Sequence, residues 1–355
     1  MNQRFFVNYT IGNDAYNEFS KVCLPLGKNV LILGGETALF AASKKLSLAM
    51  QDFNIIDTVV YGKECCMKII NTLYERYKDC GADFIVGVGG GKAVDTAKYV
   101  AHLMNVPVVT VPTLASNCAA SSALSVVYNE NHAFEALVHF NKPAYHCFID
   151  TQIILNSPKS FIRAGIGDTL AKYYEVEFSS RNVNKSFSDE LGISISNMCH
   201  APLMDNALYA LNDFNAGKYS EALENVMLII IVSTGMVSML INSDFNGALA
   251  HALFYGLTTL EGFEEKYLHG DVVGYGVIVQ LMLDNQPYEA RKVKKLLADI
   301  GVETTLKERE IEISHDILDS VIDSAIADPD MKLVPYPIDR DMVYEAILET
   351  EELTV

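Results

Sequence analysis

Strand and helix patterns alternate in the first third of the chain, and this alternation limits the possible fold more than any other feature. Short runs rich in β-branched residues predict strands over residues 29–35, 55–62, 83–91 and 106–113. Helical patterns fill the intervals, over residues 37–51, 64–80 and 92–104. Strands and helices that alternate over short connections form parallel βαβ units with right-handed crossovers. The sequence therefore predicts an open parallel sheet of the dinucleotide-binding type.

The pattern changes near residue 156. Two further apolar runs, over residues 123–128 and 144–150, predict a hairpin or an extension of the sheet. A polar pair followed by Pro158 then marks a helix start, and the hydrophobic periodicity is helical from there to the C-terminus. We therefore predict an α/β dinucleotide-binding domain over residues 1–156 and an all-helical domain over residues 157–355.

Composition and charge narrow the possible partners. Half of the 355 residues are hydrophobic and a fifth are charged, as in a well-buried globular enzyme. The formal net charge is −18, and the few Lys and Arg residues are scattered, so no basic stripe exists to bind nucleic acid. An acidic surface repels anions at long range, and an anionic substrate would therefore need a locally positive pocket. We expect a small-molecule substrate and no nucleic-acid partner.

The cysteines and the apolar segments indicate a cytoplasmic protein. Seven cysteines without a CxxC spacing argue against a disulfide framework and against a thiolate zinc site. The N-terminal stretch lacks a basic region followed by a long apolar run, so it predicts no signal peptide. The most apolar stretch, residues 226–241, is shorter than the roughly 20 residues of a bilayer span. We interpret it as a buried helix of the helical domain and expect no membrane partner.

Two segments of the first domain suit a nucleotide. The glycine-rich stretch over residues 87–98 follows a strand and opens a helix, where close backbone approach and free amides favour a pyrophosphate. Lys92 could add a direct charge. The spacing is neither GxGxxG nor the Walker pattern, and a tight turn without a ligand is the alternative. The Ser-rich stretch over residues 111–128 could wrap a ribose or nicotinamide, or be an ordinary surface loop.

Three segments of the helical domain carry candidate metal ligands. These are AGIGDTLAKYYE around Asp168, GALAHALFYG around His251 and EKYLHGDVVGYG around His269. One carboxylate with two imidazoles suits Zn²⁺ or Fe²⁺ and leaves positions open for water or substrate. Taken singly, each histidine is more often a packed core residue than a ligand. Spacing along the sequence does not show whether the three converge.

In this order, the glycine loop and the three segments resemble the iron-containing alcohol dehydrogenase superfamily, specifically its glycerol dehydrogenase branch. The resemblance covers nearly the whole chain and implies the dehydroquinate synthase-like fold, with NAD or NADP on the α/β domain and one divalent metal on the helical domain. Zinc is the first choice for this metal and iron the second.

The resemblance implies pyrophosphate contacts from Gly89, Gly90, Gly91 and Lys92. It places around the cofactor Asp95, Thr113, Ser116, Ser122, Leu124 and Tyr128. It assigns Asp168, His251 and His269 as the metal ligands.

The chain departs from the glycerol dehydrogenases at three places. Cys118 stands where those enzymes have an aspartate that binds the polyol. Phe254 stands where they have a second histidine, three residues after the ligand. Gly35 followed by Glu36 stands where an aspartate would hold the adenosine ribose, so the choice between NAD and NADP stays open. The first two changes place Cys118 and Phe254 among the candidate substrate residues.

Lys172 points to the substrate. It lies one helical turn after Asp168 and on the same face, and the equivalent position in other superfamily members holds a metal-ligating histidine. A neutral Cys118 and a cationic Lys172 would make a pocket that holds a carboxylate. Several stretches also resemble the hydroxycarboxylate dehydrogenases of this branch. A solvated surface lysine is the alternative for Lys172.

We therefore predict a homo-oligomeric dehydrogenase that exchanges a hydride between NAD(P)H and a small 2-oxo acid, with Lys172 as the carboxylate anchor. A glycerol, polyol or diol dehydrogenase is the nearest alternative. A redox-neutral metal lyase of the dehydroquinate synthase type, and a binding protein with a decayed site, are the others.

Overall fold

The computed structural model describes residues 5–129 and 134–355. The chain divides into two compact units, Met1–Ser157 and Pro158–Val355. The first contains a parallel sheet with flanking helices, and the second is helical. The predicted fold class is therefore confirmed, and the ligands assigned to each domain stay predictions.

The elements of the first unit follow the predicted alternation. Its strands are β1 (Asn8–Gly12), β2 (Asn29–Gly34), β3 (Asn54–Val60), β4 (Phe84–Gly89), β5 (Val108–Pro112), β6 (Leu124–Tyr128), β7 (Phe134–His139) and β8 (His146–Asp150). Its α-helices are α1 (Phe19–Cys23), α2 (Glu36–Ala49), α3 (Met67–Tyr77), α4 (Gly91–Met104) and α5 (Thr151–Leu155).

Six strands form one parallel sheet in the order β1-β8-β5-β4-β2-β3. The run over residues 144–150 thus extends the sheet as β8. The run over residues 123–128 becomes β6, which pairs antiparallel with β7 in a separate hairpin. The sheet extension therefore occurs for residues 144–150, whereas residues 123–128 pair with a strand that the sequence did not predict.

The four inner strands of the sheet, β8, β5, β4 and β2, are buried on both faces. Val30 and Ile32 of β2 pack on one side, in a cluster that includes α2 residues. Leu31 and Leu33 face the opposite side, in a cluster with α3 and α4 residues. Strands covered on both faces are apolar at every position instead of at alternate ones, which explains the continuous apolar runs in the sequence.

The second unit is built around α6 and α13. Its α-helices are α6 (Lys159–Ser179), α7 (Phe187–Ser196), α8 (Ala201–Asn215), α9 (Glu221–Leu228), α10 (Thr234–Leu240), α11 (Leu249–Leu257), α12 (Phe263–Lys266), α13 (His269–Leu283), α14 (Pro287–Asp299), α15 (His315–Ile326) and α16 (Arg340–Glu352). α6 begins directly after Pro158, and most residues of α6 and α13 are buried.

The most apolar segment of the chain runs through α9 and α10, which a π-helical turn at Ile229–Ser233 connects. By length and composition alone, Glu221–Leu240 could cross a membrane. Its apolar side chains are mostly buried within the helical unit, including Val226, Ile230 and Val237. Core helices of soluble proteins have the same character, in agreement with the interpretation of this segment as a buried helix.

Candidate metal centre and dinucleotide-binding edge

Two helices of the first unit begin side by side at one edge of the sheet. The chain runs from β2 outward to β3 and then returns across β2 to β4. The strand order therefore reverses between β2 and β4, and ligands of open α/β sheets bind outside the carboxyl ends of strands at such a point. Gly35, the N-cap of α2, donates its N–H to the Val88 carbonyl of β4 at 3.2 Å.

The glycine loop needs its glycines for steric reasons. Gly89 has φ +147°, and a Cβ there would lie 2.8 Å from the Cβ of Ala93. A Cβ on Gly90 would lie 2.9 Å from Leu114. Gly90 is the N-cap of α4 and supplies no side chain to the first amides of the helix. Such amides, with the helix dipole, favour a bound anion.

Lys92 has a partner within the first unit. Its ammonium lies 2.6 Å from an oxygen of Glu64 and 4.6 Å from the ring centre of Tyr128. The Glu64 side chain is 5% exposed, and the Lys92 side chain is 44% exposed. A phosphate that binds Lys92 would therefore share the ammonium with a carboxylate. Glu64 could not be predicted as a partner of Lys92, because a single acidic residue in a β-to-α loop forms no recognisable pattern.

Several predicted cofactor residues hold α4 to the hairpin. Asp95 is 4% exposed, and its carboxylate lies 2.8 Å from Lys98 and accepts the Val126 N–H at 3.1 Å. Lys98 also contacts the Ser122 hydroxyl at 3.4 Å and the Leu124 carbonyl. Burial raises the pKa of Asp95, although Lys98 opposes this shift. The structure gives these residues internal contacts, and their predicted contact with a cofactor stays a prediction.

The remaining predicted residues of this unit lie in two loops near the same edge. The Thr113 N–H donates to the Gly89 carbonyl at 3.1 Å, so the chain after β5 lies against the glycine loop. Ser116 and Cys118 are half-buried in the segment that follows, and Glu36 is exposed in the first turn of α2. Their predicted roles also stay predictions.

The three candidate metal ligands of the second unit converge. Asp168 lies on α6, His251 on α11 and His269 at the first position of α13. One ligand atom from each lies within 4.8 Å of the others. The Nε2 atoms of His251 and His269 lie 3.5 and 3.3 Å from Oδ1 of Asp168. Residues about 80 and 100 positions apart in the sequence thus form one cluster, which spacing could not show.

Glycines allow the close approach of α6 and α13. A Cβ on Gly167 would overlap the Gly270 carbonyl group, and a Cβ on Gly270 would overlap the Ala164 carbonyl group. The two helices therefore touch through their backbones beside the residues that carry Asp168 and His269. This contact explains Gly167 of the AGIG stretch and Gly270 of the HGDVVG stretch.

An ion pair supports the same crossing. Arg163 of α6 donates from Nε to Oδ1 of Asp271 at 3.1 Å, and its Nη2 contacts Oδ2. Arg163 also donates to the Gly301 carbonyl at 3.0 Å. A two-pronged Arg–carboxylate contact fixes orientation as well as distance, so it fixes the start of α13 against α6.

Glu175, which the sequence analysis did not single out, contacts His251 directly. Its side chain is fully buried, and one oxygen lies 2.5 Å from Nδ1 of His251. Glu175 follows Asp168 by seven residues, or two helical turns, and so lies on the same face of α6. That spacing was the available signal, but a glutamate seven residues from an aspartate is common on helix surfaces.

The electrostatics of the cluster fit a bound cation. Burial alone would raise the pKa of Asp168, but hydrogen bonds to His251 and His269 lower it well below the usual value. Burial opposes protonation of His251, yet the charge of Glu175 and hydrogen bonds to both carboxylates raise its pKa to about 10. Two buried carboxylates thus stabilise positive charge at this point. The donor set, one carboxylate and two imidazoles, also matches catalytic zinc and iron sites.

Lys172 and Phe254 complete the immediate surroundings. Lys172 is 7% exposed, and its ammonium donates to the Asn246 carbonyl at 2.8 Å and to the Asn246 side-chain oxygen at 2.7 Å. The alternative of a solvated surface lysine is therefore wrong. The ring of Phe254 packs edge to face on the His269 ring, with centroids 4.4 Å apart. Phe254 is thus an apolar support for this imidazole.

Comparisons with known proteins identify the family. The family model described as iron-containing alcohol dehydrogenase matches residues 7–151. The glycerol dehydrogenase of Thermotoga maritima is 33% identical over 71% of this chain and 69% of that protein. The chain belongs to the iron-containing alcohol dehydrogenase family. It is therefore an oxidoreductase, and the predicted dehydrogenase class is confirmed.

Two further relatives agree with the glycerol dehydrogenase branch of the family. Hydroxycarboxylate dehydrogenase A of Escherichia coli K12 is 36% identical over 67% of this chain and 66% of that protein. The crystal structure of glycerol dehydrogenase from Schizosaccharomyces pombe matches with a TM-score of 0.89 and 27% identity, over 99% of this chain and 91% of that chain. The family implies a nicotinamide nucleotide and a divalent metal, as the sequence predicted.

Proposed function

We propose that this oxidoreductase interconverts a short 2-oxo acid and the corresponding 2-hydroxy acid. The observation that carries the proposal is a buried cation on the same helix face as the candidate metal ligand Asp168. Lys172 follows Asp168 by one turn of α6 and is 7% exposed. An ammonium in this position can bind a substrate carboxylate. It would thereby offset the repulsion between an anionic substrate and the negatively charged protein.

Each residue of the cluster has a role in this proposal. Asp168, His251 and His269 would hold the divalent metal, for which zinc is our first choice. The metal supplies Lewis-acid polarisation of the substrate oxygen, and the nicotinamide supplies or accepts the hydride. Lys172 has three N–H donors, of which Asn246 uses two. The third would bind the carboxylate and orient the neighbouring carbonyl.

The metal half of the proposal is tested with single substitutions of the histidines. We expect His251→Ala and His269→Ala to lose both bound metal and activity, because each removes one of three ligands. His200→Ala is the matched control, since His200 is a half-buried histidine of the same unit bonded to Glu289. Metal content per chain is measured by mass spectrometry after dialysis. Full metal content in either ligand variant would refute the proposed centre.

The substrate half is tested at Lys172. We expect Lys172→Met to raise KM for 2-oxo acids by about 10- to 100-fold, because a charge-assisted hydrogen bond is worth about 1.5–3 kcal/mol. KM for an uncharged hydroxyaldehyde should change little. Asn246→Ala is the control, because it removes the side-chain bond to Lys172 and keeps both the backbone bond and the charge. An equal effect of Lys172→Met on both substrates would contradict carboxylate binding.

A polyol or diol dehydrogenase is the second candidate. It is favoured by the glycerol dehydrogenases among the relatives and by the two bonds with which Asn246 already satisfies Lys172. Oxidation of glycerol with a kcat/KM above that of any 2-hydroxy acid would favour this candidate.

The choice between NAD and NADP, the cytoplasmic location and the homo-oligomer are further proposals. Parallel assays with both nucleotides and a measurement of mass in solution test the first and the last.

A further inference from the structure

Glu175 accepts hydrogen bonds from three groups of one short segment. Its Oε1 accepts the N–H of Ala248 at 2.9 Å and the N–H of His251 at 2.8 Å. Its Oε2 lies 2.5 Å from Nδ1 of the His251 ring. A fully buried carboxylate thus holds both the backbone and the side chain of His251.

A second residue of α6 fixes the same segment one turn further on. The Ser179 hydroxyl donates to the Gly247 carbonyl at 2.9 Å, and Ser179 is fully buried. The start of α11 is therefore held along one face of α6 by Ser179 and Glu175. Of Glu175 and Ser179, it is Glu175 that contacts the His251 imidazole. Its role therefore differs from the general support of the segment that Ser179 gives.

We propose that Glu175 is a positioning residue that keeps Nδ1 of His251 protonated and directs Nε2 toward the cation position beside Asp168. This inference rests on the proposed function, because it concerns the same metal centre. A histidine ligand commonly donates its second ring N–H to a carboxylate, and this contact fixes both the tautomer and the ring orientation.

The hydrogen-bond inventory explains why a carboxylate is needed. An ionised glutamate has two acceptor oxygens, one for the two backbone N–H groups and one for Nδ1–H. A glutamine has one acceptor oxygen and one NH₂ group. If its oxygen keeps the two backbone N–H groups, its NH₂ faces Nδ1, which must then accept a hydrogen bond through its lone pair. The neutral ring would carry its hydrogen on Nε2, where it blocks metal binding.

The test compares zinc affinity in the full-length protein. Glu175→Gln preserves size and the backbone contacts, and we expect the zinc Kd to rise by about 10- to 100-fold, measured by competition with a chelating dye. Ser179→Ala is the matched control, because it loosens the same segment without touching the imidazole. We expect its Kd to equal that of the wild type. An unchanged Kd in Glu175→Gln, or an equal rise in Ser179→Ala, would overturn the inference.

A spectroscopic measurement covers the case in which Glu175→Gln does not fold. In the zinc-loaded wild type, ¹⁵N shifts of the His251 ring should show a protonated Nδ1 and a metal-bound Nε2, and the reverse assignment refutes the positioning role. Failure of the proposed function gives a different result. In that case the wild type itself binds no zinc, or His251→Ala binds zinc as tightly as the wild type.

Discussion

Single side chains support the two candidate histidine ligands in different ways. Phe254 packs edge to face with His269, and the Glu175 carboxylate contacts Nδ1 of His251. One imidazole therefore has an apolar support and the other an ionic one.

His146 of the first unit gives a prediction about acid stability. Burial lowers its pKa to about 4 from the usual value of 6.5, and its ring contacts Thr10 at 2.9 Å. Between these pH values the unfolded chain binds a proton that the folded chain does not. The free energy of unfolding should therefore fall as pH decreases from 6.5 to 4 and should not depend on His146 above 6.5.

Urea denaturation at several pH values tests this expectation. His146→Asn cannot titrate in this range, so its free energy of unfolding should decrease less than that of the wild type on acidification. The difference between the two proteins isolates His146 from the many carboxylates. Identical pH profiles would show that the histidine does not contribute.

Whether a site residue could be predicted from the sequence depends on where its partner lies along the chain. Asp168, His251 and His269 stand in motifs, and their family resemblance suggested the cluster. Glu175 could not be predicted as a partner of His251, because the contact depends on how α11 packs on α6. The bonds from Lys172 to Asn246, and from Lys92 to Glu64, were missed for the same reason. Each partner is distant in sequence and has no pattern of its own.

At the scale of elements, the backbone contact of α6 with α13 determines the distance between two candidate ligands. Gly167 lies in the interior of α6, where alanine has a higher helix propensity than glycine by about 1 kcal/mol. A Cβ at this position would overlap the Gly270 carbonyl group. Propensity and packing therefore predict opposite effects for the same substitution.

We expect packing to dominate in Gly167→Ala. Overpacking in a filled interior costs about 1–3 kcal/mol, so Tm should fall, and zinc affinity should fall as Asp168 and His269 move apart. Thermal denaturation and zinc titration check the two parts. A Tm at or above that of the wild type would mean that the crossing can adjust.

The sequence predicted elements better where the core imposes a regular pattern. The strands β2, β4 and β5 are buried on both faces, and their apolar runs were found within a few residues of their ends. β1 and β7 were missed. Half of their residues or more are at least partly exposed, so polar and apolar residues mix without a clear period. β1 pairs with β8, which lies far along the chain, and local pattern does not specify such a pairing.

At the scale of the whole molecule, the charge of −18 gives a prediction about ionic strength. Surface charges act over about 30 Å in 0.01 M salt and over about 8 Å in 0.15 M salt. Adding salt should therefore lower KM for a dianionic 2-oxo acid, because the repulsion is screened before the substrate reaches Lys172. KM for an uncharged hydroxyaldehyde should stay constant. Steady-state kinetics with both substrates test this, and a parallel change in both would point to a salt effect on the enzyme.

The three candidate ligands also set the moment at which the protein can acquire its metal. Asp168 leaves the ribosome 101 residues before His269, an interval of about 5–20 s at ordinary rates of synthesis. During that time the growing chain offers only scattered weak donors. In the proposed centre, loading would wait until α13 had emerged and docked on α6, so a folded helical unit and not a nascent chain would select the metal.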